Sequence, residues 1–251
     1  MANDPSDATG TSRLASAAET HFVLDARGRI LHASDPNRSP GPRFHIVGKR
    51  AGNRFLLGHD VSETVARDIA ALAREEPPLD SRDSSPLYLE TYTALLASEV
   101  PVTKRDVEFD YILPRRIRRR ESERIVQSGT REGDALLAQF AAKGVPPGLA
   151  EMGFKDPSEF WPPWCIAYCG GEVASVAFAS RLTCERAALG VATAPAFRSR
   201  GLAASAVAAW TWHPELANRV LDYSHSRDNR SSERLTERLG LRFVGVSVSL
   251  T

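Results

Sequence analysis

Thr193-Ala-Pro-Ala-Phe-Arg-Ser-Arg-Gly-Leu-Ala203 lies between a short apolar run and an alanine-rich segment. Beyond it, Leu202, Ala203, Ala206, Val207 and Trp210 recur at helical spacing until Pro214 ends the pattern. A strand, a small-residue turn and a helix therefore follow one another. The first NH groups of a helix have no partner inside it and sit at its positive end. A turn of small residues there can receive a diphosphate. Gly201 allows the backbone to approach closely, and Arg198 and Arg200 add positive charge beside Ser199.

Working outward, Val220-Leu-Asp-Tyr-Ser-His225 reads as the next strand. Asn229 follows, then a helix through Leu235 and Leu239 that ends at Gly240. Gly240-Leu-Arg-Phe-Val-Gly245 opens the last strand. Upstream, Cys165-Ile-Ala-Tyr168 and Val173-Ala-Ser-Val-Ala-Phe178 bracket Gly170-Gly171 as a hairpin of two buried strands.

Two ordered motifs carry a family resemblance. Arg198, Gly201 and Ala203 stand at the spacing R-x-x-G-x-A. Asn229, Ser232, Gly240, Leu241, Val244 and Gly245 match N-x-x-[AS]-x-x-x-x-x-x-x-G-[FL]-x-x-V-G. In both the chain resembles the GNAT superfamily of N-acetyltransferases, and Gly190 to Ala203 with Tyr223 to Ser232 resembles a bacterial group within it. The likeness spans residues 116–251 and is firmest from Val173 onward. It implies an α/β (α+β) fold with a mixed, mostly antiparallel sheet flanked by helices, preceded here by an additional N-terminal α/β subdomain. It also implies acetyl-CoA as co-substrate, bound by Val191, Thr193, Arg198, Ser199, Arg200, Gly201, Leu202, Ala203, Asn229 and Ser232. In the superfamily the pantetheine arm pairs with one strand, and residues 189–193 take that place. The implied activity is acetyl transfer to a primary amine by direct attack in a ternary complex. His225 and Ser226 are the candidate catalytic residues.

Departures from the pattern bear on mechanism. Ala188 and Ala192 stand where related chains carry an acid, and Thr236 stands where a tyrosine often protonates the departing thiolate. A threonine hydroxyl is far too weak an acid for that step. Arg227 replaces the tryptophan of S-W-x-N. An alternative is therefore a non-catalytic acyl-CoA-binding sensor or regulatory module.

Composition bounds the rest. A chain of 251 residues exceeds the usual single domain of about 100 to 200, so a tail over residues 1–12, an N-terminal subdomain over 13–113 and an acetyltransferase domain over 114–251 are expected. Hydrophobic content of 42% with 25% charged residues suits a soluble core, and a formal net charge of +1 gives no reason to expect a nucleic-acid or membrane partner. The first residues carry no basic and apolar secretion signal, and a cytoplasmic monomer or homodimer acting on a small-molecule or peptide amine is expected. Cys165, Cys169 and Cys184 form no disulfide framework, and no Cys/His pair completes a metal site around Cys165, so no metal is expected.

In the N-terminal half, residues 21–25 and 29–32 flank Gly28 as a hairpin, and residues 44–47 and 54–57 form a second. Helices are predicted over 14–19, 61–76, with Ser62 or Asp60 as cap, and 87–98, with a linker-like stretch over 79–86. Residues 106–113 read as a strand and 132–142 as a helix. The run Arg115-Arg-Ile-Arg-Arg-Arg120 reads either as an anion contact or as a solvated connector. Trp161-Pro-Pro-Trp164 reads either as an acceptor-pocket wall or as packing beneath the sheet. Glu185 and His213 are further acid/base candidates without a motif.

Overall fold

A computed structural model describes residues 20–48, 52–118 and 124–251. The predicted tail, the helix over 14–19, the tip of the second hairpin and the end of the arginine run fall outside the described residues. The chain divides into two compact units, one comprising Met1–Tyr111, Ser224–Arg230 and Phe243–Thr251, the other Ile112–Tyr223 and Ser231–Arg242. The fold is mixed α+β with a mostly antiparallel sheet. Among the described residues no helix is long and apolar enough to cross a membrane.

In the first unit, β1 (Phe22–Leu24) and β2 (Ile30–Ala33) pair antiparallel as a separate two-stranded sheet. The strands β3 (Phe44–Val47), β4 (Arg54–Leu57), β5 (Arg105–Ile112) and β11 (Arg242–Leu250) lie in the order β4-β3-β11-β5. Helix α1 (Glu63–Glu75) is capped by the Ser62 hydroxyl, which accepts from the Val65 NH, and α2 (Leu89–Ala97) follows. The sequence read residues 79–86 as a linker, yet Leu79 is buried and its carbonyl accepts from the Val246 NH at 2.9 Å. Asn53 fastens the same segment, donating to the Glu76 and Pro77 carbonyls and accepting from the Leu79 NH. A connector whose backbone groups find partners inside the fold is an ordered part of it, whatever its composition.

Gly245 acquires a reason here. A Cβ at this position would run into the Gly48 carbonyl, and the Leu79 carbonyl lies 3.1 Å away. The second motif's final glycine is thus required by a close crossing of backbones in the first unit.

In the second unit, β6 (Ile125–Gln127), β7 (Trp164–Cys169), β8 (Glu172–Leu182), β9 (Arg186–Thr193) and β10 (Val220–Ser226), which the division cuts after Tyr223, lie in the order β10-β9-β8-β7-β6. Helices α3 (Arg131–Lys143), α4 (Pro147–Glu151), α5 (Leu202–Trp210) and α6 (Arg230–Leu239) accompany them. Short elements such as β6 and α4 carry too little periodicity to be read from sequence. A core of Val126, Phe140, Leu149, Phe160, Trp164 and Ile166 fills one side, which settles Trp164 as a packing residue. The Trp210 indole NH donates to the Pro163 carbonyl at 2.9 Å. The described part of the arginine run is a pinned loop. The Ile117 NH donates to the Thr211 hydroxyl, the Trp212 indole donates to the Ile117 carbonyl, and Arg116 lies over the Trp212 ring.

All strand pairs of known register are antiparallel except β9 with β10, whose parallel pairing runs from Arg186 opposite Val220 to Ala188 opposite Asp222. At that short pairing the Arg186 guanidinium grips both oxygens of Asp222, with the two side chains 6% and 14% exposed. A bidentate pair removed from water is strongly directional, and losing one partner strands the other charge. Asp222→Ala is expected to lower stability by about 3 kcal/mol in urea denaturation, whereas the Arg186→Leu/Asp222→Leu double variant recovers most of the loss.

His45 in β3 is buried, with Nδ1 3.0 Å from the Ser249 hydroxyl and its ring 5.1 Å from that of Phe22. Burial disfavours the imidazolium and pushes its pKa down to about 4. An unfolded histidine titrates near ~6.5, so the unfolded chain binds more protons between the two values and stability falls as pH drops through that window. Denaturation at pH 7 and pH 4 is expected to differ by about 3 kcal/mol more in the wild type than in His45→Gln.

Candidate functional site

The cofactor-binding residues expected from sequence between Val191 and Ala203 fall on one continuous path in the second unit; Ser232 lies on α6 and Asn229 in the first unit. Along β9 the burial changes midway: residues 186–189 are buried, while Gly190, Val191, Ala192 and Thr193 are half-exposed. The change coincides with the end of pairing to β10 at Ala188. From Leu189 onward β9 keeps its register with β8, Gly190 opposite Phe178 and Thr193 opposite Ser175, and among the described residues no β10 register continues. One edge of this stretch therefore has backbone groups available to an extended ligand. Thr193 is held by its hydroxyl 2.8 Å from that of Ser175, which in turn donates to the Ala192 carbonyl.

Past β9, Pro195–Phe197 form one turn of 3-10 helix, and the chain then enters the arginine-glycine turn. Ser199 has φ 62° and Gly201 φ 86°, both left-handed. A serine in that region costs about 1 kcal/mol or more and marks a turn held for a purpose. Left-handed residues aim neighbouring NH groups to one side, which is how a backbone nest for an anion forms. Gly201 is the N-cap of α5, and no side chain caps the helix there. In this α5 is like α2 and α4, whereas α1 and α3 are capped by Ser62 and Thr130. Leu202 is buried beneath the turn, Ala203 half-buried, and Arg198, Ser199 and Arg200 are exposed. The Arg198 Nε donates to the Thr193 carbonyl at 3.5 Å, and Arg200 lies over the Phe197 ring.

One residue at this turn escaped the sequence reading. Arg238, in the last turn of α6, brings its guanidinium to within 2.7–3.0 Å of the place a Cβ on Gly201 would occupy. A signal was present: Arg230, Arg234 and Arg238 recur every fourth residue. Like charges at that spacing disfavour an isolated helix, a local cost that calls for a role elsewhere. With Arg198 and Arg200, Arg238 makes the turn strongly cationic.

Other candidates are placed differently. Ser232 sits in the first turn of α6, half-buried. Thr236 is buried and its hydroxyl donates to the Glu233 carbonyl at 2.7 Å, so its proton is committed to its own helix. His213 is buried, accepting from the Glu215 NH at Nδ1 and presenting Nε2–H to the Ser128 carbonyl at 3.1 Å. It staples a turn rather than standing free for chemistry.

The remaining candidates belong to the first unit. His225 is 4% exposed and stacks on Tyr111 with ring centroids 5.4 Å apart. Its Nδ1 lies 2.9 Å from the Ser226 carbonyl, which fixes the proton on Nδ1 and leaves Nε2 as the basic nitrogen. Ser226 and Asn229 are exposed, and the Asn229 NH donates to the Ser226 carbonyl in the turn before α6.

No protein-family model matches the chain, and no curated protein matches it significantly in sequence. Solved structures do match in shape. A protein of the GNAT acetyltransferases from Novosphingobium aromaticivorans aligns at TM-score 0.42 and 20% identity, covering 59% of this chain and 65% of that one. A GCN5-related N-acetyltransferase-like protein from Streptococcus suis aligns at TM-score 0.46 and 13% identity over 86% of each chain. An acetyltransferase of the GNAT family from Colwellia psychrerythraea aligns at 0.44 and 14% over 98% and 97%.

Gly201→Ala is expected to destabilise by about 1–2 kcal/mol, because the strain lies in the left-handed backbone. Adding Arg238→Ala to it should return none of that loss in urea denaturation. Full recovery in the double variant would place the cause in crowding by the guanidinium.

Proposed function

We propose that this chain is a GNAT-type N-acetyltransferase that uses acetyl-CoA and transfers the acetyl group to a primary amine of a small molecule or peptide. One observation carries the reading: β9 leaves its pairing with β10 after Ala188 and runs on into the glycine-opened, uncapped start of α5. A free strand edge leading into a cationic helix N-terminus suits a ligand made of an extended amide-bearing arm ending in a diphosphate.

The residues present fit that group. The backbone around Val191 and Thr193 would receive the arm, the NH groups of residues 199–203 the diphosphate, and Arg198, Arg200 and Arg238 its charge. When bound, acetyl-CoA would supply an activated acyl group in a ternary complex, the amide bond to the acceptor nitrogen forming as the thioester C–S bond breaks and CoA leaves as the thiol. The exposed β9 backbone would donate hydrogen bonds to the carbonyl oxygen as charge develops on it. His225 and Ser226 stay the candidate base and hydroxyl of the sequence reading.

A second reading has its own observation. Ala188 and Ala192 provide no carboxylate, and Thr236 has spent its proton on Glu233. That combination suits a module that binds acyl-CoA and does not consume it. Steady CoA release with any amine in a broad acceptor screen would remove this reading.

Because a ligand that binds only the folded state raises its stability by mass action, acetyl-CoA at 100-fold its Kd should add about 2.7 kcal/mol to wild type. Gly201→Asp, which puts a carboxylate where a phosphate would sit, is expected to abolish the thermal shift, and Arg238→Ala to weaken binding about tenfold. An absent shift in the wild type would defeat the proposal.

A further inference from the structure

The strap between Leu79 and Leu87 carries a feature the proposed transfer does not use. It is anchored at both ends: Leu79 is bonded to Val246, and the Leu87 and Tyr88 NH groups donate to the buried Glu76 carboxylate. Between these anchors it forms no helix or strand. At its centre Arg82, half-buried, places its guanidinium carbon 5.4 Å from the Phe109 ring centroid, 5.8 Å from that of Tyr111 and 5.6 Å from that of Phe243. Three ring faces gather on the Arg82 guanidinium as an aromatic box, an arrangement that attracts cations through the ring quadrupoles, and the Arg227 guanidinium also lies 5.4 Å from the Phe109 centroid.

The box belongs to the first unit's own sheet. Phe109 and Tyr111 alternate on one face of β5, and Phe243 stands edge-on to both rings from β11, at 5.9 and 5.7 Å. The Tyr111 ring also stacks on His225. The Tyr111 hydroxyl is buried, and no hydrogen bond reaches it among the described residues. A buried hydroxyl without a partner is costly, and a ligand with an NH or carboxylate would satisfy it. Arg227 holds the strap in place, donating to the Ser84 carbonyl at 2.6 Å and the Arg82 carbonyl at 3.3 Å. This residue is the departure from the resembled motif, and its contacts give the substitution a purpose.

We propose that the Phe109–Tyr111–Phe243 box of the first unit is a binding site for a guanidinium-bearing ligand, occupied in the free protein by Arg82 as a built-in stand-in. The ligand class that follows is an amine bearing a guanidinium, the group that Arg82 itself presents to the rings, which displaces Arg82 from them. The Arg82 side chain can leave the rings by rotation about its own bonds while Arg227 keeps the strap's backbone in place. The cation site does not rest on the acetyltransferase reading.

The test is isothermal titration with agmatine, which carries a guanidinium and a primary amine, against n-butylamine, which lacks the guanidinium. Arg82→Ala removes the cation that all three rings face and is expected to bind agmatine about tenfold tighter than wild type, with no gain for n-butylamine. Adding Phe243→Leu keeps an apolar side chain but removes one ring, and should cancel the gain. Equal agmatine affinity in wild type and Arg82→Ala would overturn the proposal, as would a gain that survives Phe243→Leu or extends equally to n-butylamine. Acetyl-CoA titration of the same proteins separates the two readings. Acetyl-CoA binding without the agmatine pattern overturns the box alone, and the agmatine pattern without acetyl-CoA binding leaves the box standing while the transferase reading fails.

Discussion

The parallel contact of β9 with β10 is short, and the Arg186–Asp222 pair sits within it. A bidentate guanidinium–carboxylate pair shielded from water tolerates little displacement, so it sets register where only three residue pairs face each other. Hydrogen bonding then ends, and β9 continues on its pairing with β8 alone among the described residues. The half-exposed edge from Gly190 to Thr193 exists because the clamp lies at one end of the strand and not along it. Every later feature of the second unit's candidate site, from the 3-10 turn to the start of α5, hangs from that edge.

The two motif glycines answer different constraints. Gly201 is needed for its left-handed backbone at the mouth of a helix without a side-chain cap. Gly245 is needed because another strand's carbonyl passes where a side chain would be. One serves the candidate site and the other the packing of β11 beside β3, though both belong to motifs of the same resemblance. Spacing alone does not separate such roles, since glycine is selected by absence of a Cβ in either case.

Charge is distributed in a similar way. Arginines recur throughout the chain, and each acquires its meaning from what it faces. Arg186 is neutralised by Asp222, Arg43 bridges Glu99 and the Leu96 and Val100 carbonyls, and Arg227 straps a loop. Arg238 crowds an open helix N-terminus and Arg82 fills an aromatic box. A net charge of +1 conceals all of these assignments.

Local rules were legible in the sequence because they act over a few residues. The two N-terminal hairpins, the Ser62-capped helix, the β7–β8 hairpin and the glycine-opened α5 follow from alternation, capping and turn chemistry. So did the cationic turn at residues 198–201. Other features were decided by tertiary structure alone: where β9 loses its partner, that Arg238 reaches Gly201, that Thr236 and His213 are already bonded, and that a segment read as a linker carries Arg82 onto three rings. Each depends on groups far apart in the chain meeting at distances of a few ångströms. Propensity and spacing describe neighbours along the backbone, whereas the partner of a buried charge or ring is chosen by packing across the sheet.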